Sequence, residues 1–166
     1  MARRSKNAFN NTSRIIFTIL FIAAGVVFHR VAPAEYLPMQ FIVLLCGFLC
    51  GSGYGAAAGL VMPFFTLLFN GAPTLWPDAV VTALELGAYG FLPGLLPKRW
   101  HSTMRLLLTM LAGRAVMGLS YLIIYVLQGS GYSWSAFMDH ALWYGLIGIV
   151  LQLAAIPLIA AASDRS

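Results

Sequence analysis

The chain has 166 residues, of which 60% are hydrophobic and only 9% are charged, whereas an ordinary soluble domain is roughly 45–50% apolar and about 25% charged. Ten Lys/Arg and five Asp/Glu residues cannot cover a water-soluble body of this size. A soluble monomer is therefore excluded, and lipid is the solvent expected for most of the surface. The net charge of +5 does not indicate nucleic-acid binding, because the basic residues cluster between apolar segments instead of forming a stripe.

The first half of the chain contains three apolar segments. Residues 15–32 follow a basic N-terminus and exceed the roughly 7–15 residues of a signal-peptide core, so we predict a retained first span. Residues 39–51 and 55–69 are separated by Gly51-Ser-Gly-Tyr-Gly55, which predicts a tight turn. Both segments are shorter than the roughly 20 residues that cross a hydrocarbon core, so two short spans and a packed hairpin both remain open.

The second half adds three longer apolar segments, at 77–96, 104–127 and 136–162. The positive-inside rule places the basic N-terminus and the basic loop near Lys98 on the cytoplasmic side, which requires an even number of crossings between them. Eight of the ten basic residues then lie inside, namely Arg3, Arg4, Lys6, Arg14, Lys98, Arg99, Arg105 and Arg165. The predicted fold is a single all-α membrane domain. It is a compact bundle of six transmembrane helices with both termini in the cytoplasm.

Two ionisable residues lie deep in this bundle. Glu85 is about 12 Å below the outer start of its span, and Arg114 is about 13–14 Å above the inner start of the next span. An intramembrane charge costs at least about 2.5–3.5 kcal/mol on insertion scales, so its presence needs a physical reason. The two residues either form a structural ion pair or line a polar cavity that holds a ligand, and the sequence leaves both readings open.

Other polar and aromatic residues are expected near the depth of Glu85 and Arg114 in the membrane, where they would form a cavity open to the outside. Tyr89 shares a helix face with Glu85, and two tyrosines follow Arg114 along one face of its helix. Anchoring of aromatic side chains at the membrane interface is the alternative role. Gln152 is predicted to form an interhelical hydrogen bond. The predicted substrate-binding residues are Asn70, Trp76, Glu85, Tyr89, Arg114, Tyr121, Tyr125 and Trp143.

Signatures of enzymes, metal sites and resident cofactors are absent from the sequence. Cys46 and Cys50 lie one helical turn apart without a second pair, which predicts helix packing and not a metal site. The stretch Gly51-Ser-Gly-Tyr-Gly55 fails the G-x-S-x-G spacing of serine hydrolases. No phosphate-binding G-x-x-x-x-G-K-[ST] motif occurs, so energised transport would need ATPases in trans.

Several short motifs, in order along nearly the whole chain, resemble the substrate-binding S component of an energy-coupling-factor (ECF) vitamin transporter. The E-L-x-x-Y-G and A-G-R-x-x-x-G pieces are the most specific of them. The motifs lie at 51–59 leading to Pro63, at 70–73, at 85–90, at 110–118 and at 148–157.

The resemblance implies a six-helix protein in the cytoplasmic membrane of a bacterium or archaeon. Such a protein binds a vitamin on its outer side and docks on a membrane coupling subunit driven by two cytoplasmic ATPases. In this family an A-x-x-x-A motif on the first helix commonly mediates docking. Here only Ala23, Ala24 and Gly25 offer small residues at that place. A carboxylate would suit Arg114, so pantothenate is the first candidate. A structural or assembly protein of the cell envelope, which would need no cavity, is the alternative.

Overall fold

The computed structural model describes residues 10–32, 38–97, 99–129 and 146–163, and all regular structure within them is helical. The helices are α1 (Asn11–Val31), α2 (Pro38–Cys50), α3 (Ser52–Asn70), α4 (Val80–Leu95), α5 (Ser102–Leu127) and α6 (Leu146–Ser163). A short irregular helical segment, Leu75–Ala79, precedes α4, with Trp76 in an extended conformation.

Helix lengths and surface composition fit a bundle in lipid. Among the described residues, α1, α3 and α5 are long and apolar enough to cross a membrane, while α2 and the part of α6 at 148–159 are apolar but shorter. Large apolar side chains are exposed along α1 and α3, such as Leu20, Val27 and Leu68. A water-soluble helix would bury this stripe and expose polar residues. The predicted all-α membrane protein is therefore confirmed as a class.

The short helix α2 lies in the centre of the molecule and contacts α1, α3, α4 and α6. Its Val43 and Leu44 are fully buried in the core. They pack there with Met62 of α3, Tyr89 of α4 and Ile156 of α6. A helix that is apolar on all sides is suited to this central position. Cys46 and Cys50, also on α2, are buried free thiols, which confirms their predicted packing role.

Glycines allow α3 and α4 to approach until their backbones touch. A Cβ atom at Gly55 would lie 2.3 Å from the Gly90 carbonyl oxygen, and one at Gly59 would lie 2.2 Å from the Leu86 carbonyl oxygen. Close contact through small residues is typical of helix pairs in membranes, where no hydrophobic force drives helices together. The contact at Leu86 fixes the height of its neighbour Glu85 relative to α3.

The predicted tight turn at 51–55 is wrong in its extent. Only Gly51 lies outside a helix, with φ of 102°, and α3 already begins at Ser52. Gly53 and Gly55 belong to α3, and Gly55 serves the contact with Gly90 instead of a turn. The chain therefore reverses between α2 and α3 at a single residue in the left-handed region of backbone conformation, which glycine tolerates best.

Arg105, counted above among the basic residues on the cytoplasmic side, is buried within the bundle at 7% exposure. Its Nη2 donates a hydrogen bond to the Pro93 carbonyl oxygen near the end of α4. The guanidinium also lies over the Phe48 ring, 4.9 Å from the centroid. A cation at a helix C-terminus satisfies carbonyl groups that lack a partner within the helix, so Arg105 joins α5 to α4 and α2.

Candidate functional site

The centre of the bundle holds an ion pair between α4 and α5. Arg114 Nη1 lies 3.0 Å from Glu85 Oε1, and the side chains are 17% and 10% exposed, respectively. The predicted proximity of these two residues is confirmed. Because each charge compensates the other, the pair avoids the larger penalty that a single charge would suffer in a low-dielectric interior.

Tyr89 extends this pair within α4. Its hydroxyl donates a hydrogen bond of 3.0 Å to Glu85 Oε1, one helical turn earlier. The Tyr89 ring is fully buried and lies against Gly113 of α5, where a Cβ atom would be only 2.1 Å from Tyr89 Cε1. The absence of a side chain at Gly113, directly before Arg114, therefore makes room for the ring that supports Glu85.

A third helix contributes Gln40, near the start of α2. Arg114 Nη2 donates a long hydrogen bond of 3.5 Å to Gln40 Oε1, and Gln40 is only 4% exposed. We call Gln40, Glu85, Tyr89 and Arg114 the polar cluster. Within the described part of the chain, Gln40 Nε2 and Arg114 Nε are buried and have no hydrogen-bond partner.

The two buried atoms of the polar cluster that lack a partner share one chemistry, because both are N–H donors. The one acidic member, Glu85, already accepts hydrogen bonds from Arg114 and Tyr89 at Oε1. A buried donor without a partner costs about 1–3 kcal/mol. The cluster is therefore suited to an incoming acceptor, such as a carboxylate or carbonyl oxygen.

A second group of hydrogen bonds lies further along α5. Tyr121, about 10 Å from Arg114 at 1.5 Å per residue, donates 3.0 Å to Asp78 Oδ1. Thr74 Oγ1 donates 2.7 Å to the other oxygen of the same carboxylate. The Tyr125 ring follows, with its centroid 6.3 Å from that of Tyr121. These contacts fasten the segment after α3 to α5.

The remaining predicted site residues lie apart from the polar cluster. Asn70, at the end of α3, donates a 3.0 Å hydrogen bond from Nδ2 to the Val26 carbonyl oxygen of α1. Trp76 is 57% exposed, and its carbonyl oxygen lies 3.5 Å from Thr74 Oγ1. Trp143 lies outside the described residues. The structure thus brings Glu85, Tyr89 and Arg114 together but places Asn70 and Trp76 elsewhere.

The three small residues predicted for docking face different ways on α1. Ala23 is exposed and Ala24 is half-buried, packed against the core. Gly25 is buried, and a Cβ atom there would lie 2.4 Å from Met62 Sδ. Gly25 therefore serves packing of α1 on α3, and only Ala23 of the three is exposed.

Sequence reasoning missed Gln40 and Gly113. The signal for Gln40 was an amide within a run of apolar residues, which in a membrane helix marks an inward position. The signal for Gly113 was a glycine directly before an intramembrane arginine. Gln152, predicted to form an interhelical hydrogen bond, is fully buried but finds no partner among the residues that the structure describes.

Apolar outer faces around a buried ion pair define an integral membrane protein that keeps a polar cluster inside its helical bundle. The family model "ECF transporter, substrate-specific component" matches residues 13–163 of the chain. The chain therefore belongs to this family, which is one of transporter components and not of enzymes, and the resemblance drawn from its motifs is confirmed. Searches of curated proteins and of solved structures found no match.

Proposed function

We propose that this S component captures a water-soluble vitamin or related micronutrient at the outer face of the membrane. The polar cluster is its binding floor, and the observation that carries this assignment is the pair of unfilled N–H donors beside the Glu85–Arg114 ion pair. A ligand that offers an oxygen acceptor satisfies both donors and leaves the ion pair intact. Pantothenate, with a carboxylate, an amide carbonyl and two hydroxyl groups, is the first candidate.

The aromatic residues Tyr121 and Tyr125 supply the wall above this floor. Tyr121 is held by Asp78, so its ring is oriented before a ligand arrives. Small-ligand sites are usually lined by such apolar and aromatic surfaces with few polar anchors. In this proposal Asn70, Trp76 and Trp143 belong to the outer approach to the site and not to its floor.

Transport requires partners in this proposal. The chain has no phosphate-binding motif of the common type, so a membrane coupling subunit and two cytoplasmic ATPases supply the energy. Docking on that subunit uses the outward face of α1. Its exposed residues follow helical spacing through Ala23, namely Ile16, Leu20, Ala23 and Val27.

Binding measurements on the purified chain in lipid nanodiscs test the site. We expect one member of a panel of water-soluble vitamins to bind with one-to-one stoichiometry in isothermal titration. Gln40→Leu removes one unfilled donor, together with the Oε1 atom that accepts the long hydrogen bond from Arg114. It should weaken that binding at least tenfold, because a hydrogen bond to a charged group is worth about 1.5–3 kcal/mol. Gln128→Leu, the same change at an exposed position, is the matched control. Equal affinity for both variants contradicts the proposed floor.

A further inference from the structure

The turn between α4 and α5 presents basic and aromatic side chains that neither the core nor the polar cluster uses. Arg99, Trp100 and His101 are all exposed, and Lys98 precedes them in the sequence. The backbone N–H of Trp100 donates a 3.0 Å hydrogen bond to the Pro97 carbonyl oxygen. This hydrogen bond closes the turn directly before α5 and fixes the backbone that carries the cation and the indole.

Positive charge from α1 lies at the same end of the bundle. A Cβ atom at Gly51 would lie 3.9 Å from Arg14 Nη1, so the guanidinium of α1 is beside the start of α3. A Cβ atom at Gly94, five residues before Arg99, would lie 2.3 Å from the backbone nitrogen of Ser52. The start of α1, the start of α3 and the turn that carries Arg99 therefore lie together.

Within the described ranges, no acidic side chain neutralises Arg99. The acids there are Asp78 and Glu85. Glu85 is paired with Arg114 in the centre of the bundle, and Asp78 accepts a hydrogen bond from Tyr121, near the opposite end of α5. The Arg99 guanidinium is therefore available to an anion from outside the chain.

An apolar stripe begins on α5 next to this cation. Met104, Leu107 and Leu111 are 53%, 45% and 74% exposed, and their spacing places them on one face of the helix. The stripe extends for about 10 Å at 1.5 Å per residue, which is most of the roughly 15 Å of hydrocarbon in one leaflet. Trp100, 39% exposed, lies between the cation and the stripe, and tryptophan is enriched at headgroup depth.

We propose that this surface, formed by Arg99, Trp100, Met104, Leu107 and Leu111, binds an anionic phospholipid. We call it the lipid strip. The order of its groups matches that of the lipid, because a phosphodiester fits the planar guanidinium and an acyl chain fits the apolar stripe. A zwitterionic lipid has the same phosphate, but its own cationic group competes with Arg99. The predicted topology places the strip in the cytoplasmic leaflet, whose negative surface attracts basic segments. The strip is independent of the proposed vitamin site.

Quenching of Trp100 fluorescence by brominated lipids tests the preference for an anionic headgroup. Trp76→Phe, Trp134→Phe and Trp143→Phe together leave Trp100 as the only tryptophan. The full-length variant is placed in phosphatidylcholine nanodiscs in which one quarter of the lipid is brominated phosphatidylglycerol or, in parallel, brominated phosphatidylcholine. We expect phosphatidylglycerol to bind the strip about fivefold more tightly, since one basic residue at an anionic surface contributes about 1 kcal/mol.

Charge substitutions and salt identify the source of this preference. Arg99→Gln should lower it about fivefold. Arg30→Gln should leave it unchanged, because Arg30 is also exposed but lies about 24 Å from Arg14 along α1. Raising the salt to 1 M should weaken the preference, because the Debye length falls to about 3 Å. Soluble glycerol phosphate at constant ionic strength should leave it in place, since this anion has no acyl chain.

Native mass spectrometry keeps the test decisive if the single-tryptophan variant does not fold. With all four tryptophans present, the wild-type chain should retain phosphatidylglycerol from mixed micelles in preference to phosphatidylcholine, and Arg99→Gln should lose this preference. Equal binding of the two lipids by the wild-type chain would overturn the proposal. So would an unchanged preference in Arg99→Gln, or displacement of the lipid by glycerol phosphate.

Discussion

Removing the two central charges one at a time, and then together, separates a structural ion pair from a ligand-binding one. Glu85→Gln leaves the Arg114 guanidinium without a counter-ion, and Arg114→Met leaves the Glu85 carboxylate without one. The two side chains are at most 17% exposed, so water compensates little for the lost partner. Breaking such a buried pair from one side costs about 3–5 kcal/mol.

The double variant should recover much of this loss, because no uncompensated charge remains. The amide oxygen introduced by Glu85→Gln can still accept the Tyr89 hydrogen bond. At about 2–4 °C per kcal/mol for a protein of this size, each single change lowers the melting temperature by roughly 6–20 °C. Thermal unfolding of the three variants in one detergent measures this. A double variant no more stable than the worse single variant would refute the compensation between these charges.

Ligand affinity of the same double variant then distinguishes the two roles. If the pair forms the floor of the vitamin site, the double variant folds but loses affinity by more than tenfold, since a buried charged contact is worth at least about 1.5 kcal/mol. Unchanged affinity in a stable double variant would leave the pair with a structural role alone.

Three further predictions concern packing, topology and energy. Gly113→Ala should destabilise the protein by about 1–3 kcal/mol through overpacking against the Tyr89 ring. Gly53→Ala is the control and should not destabilise it, because no atom lies within 4 Å of the added methyl group. Equal melting temperatures of the two variants would refute the contact between Gly113 and Tyr89. In a background without native cysteines, impermeant thiol reagents should label single cysteines at 70–77 from outside intact cells but not those at 98–101. The reverse pattern would contradict the predicted topology. The purified chain alone should neither hydrolyse ATP nor accumulate solute in proteoliposomes, and concentrative uptake without partners would contradict its role as a subunit.

The class of fold and the central pair were predictable because both depend on quantities that the sequence carries directly. Apolar composition determines the solvent, and segment length determines the depth at which a residue lies. Glu85 and Arg114 fall at similar depth in consecutive predicted spans, and an uncompensated charge is expensive there. These constraints predict that the Glu85 and Arg114 side chains lie close together, whatever the arrangement of the other helices.

Contacts that depend on the arrangement of helices were not predictable in the same way. A run of glycines predicts a turn and a close helix contact equally well, and at Gly55 the contact with Gly90 determines the outcome. Asn70 ends α3, and the sequence does not reveal that α1 is near enough for the Asn70 amide to reach Val26. The part played by Gln40 likewise depends on the central position of α2.

Mass spectrometry of small molecules released from the purified protein tests the central claim most directly. Wild-type chain and the Glu85→Gln/Arg114→Met double variant are purified in parallel from cells grown in rich medium, and each is denatured to release what it holds. The account predicts that the wild type releases a water-soluble compound with an oxygen acceptor in near one-to-one amount, and that the folded double variant releases less than a tenth as much. Equal release from both proteins, or release of no water-soluble compound from the wild type, would contradict a substrate-binding role for the polar cluster.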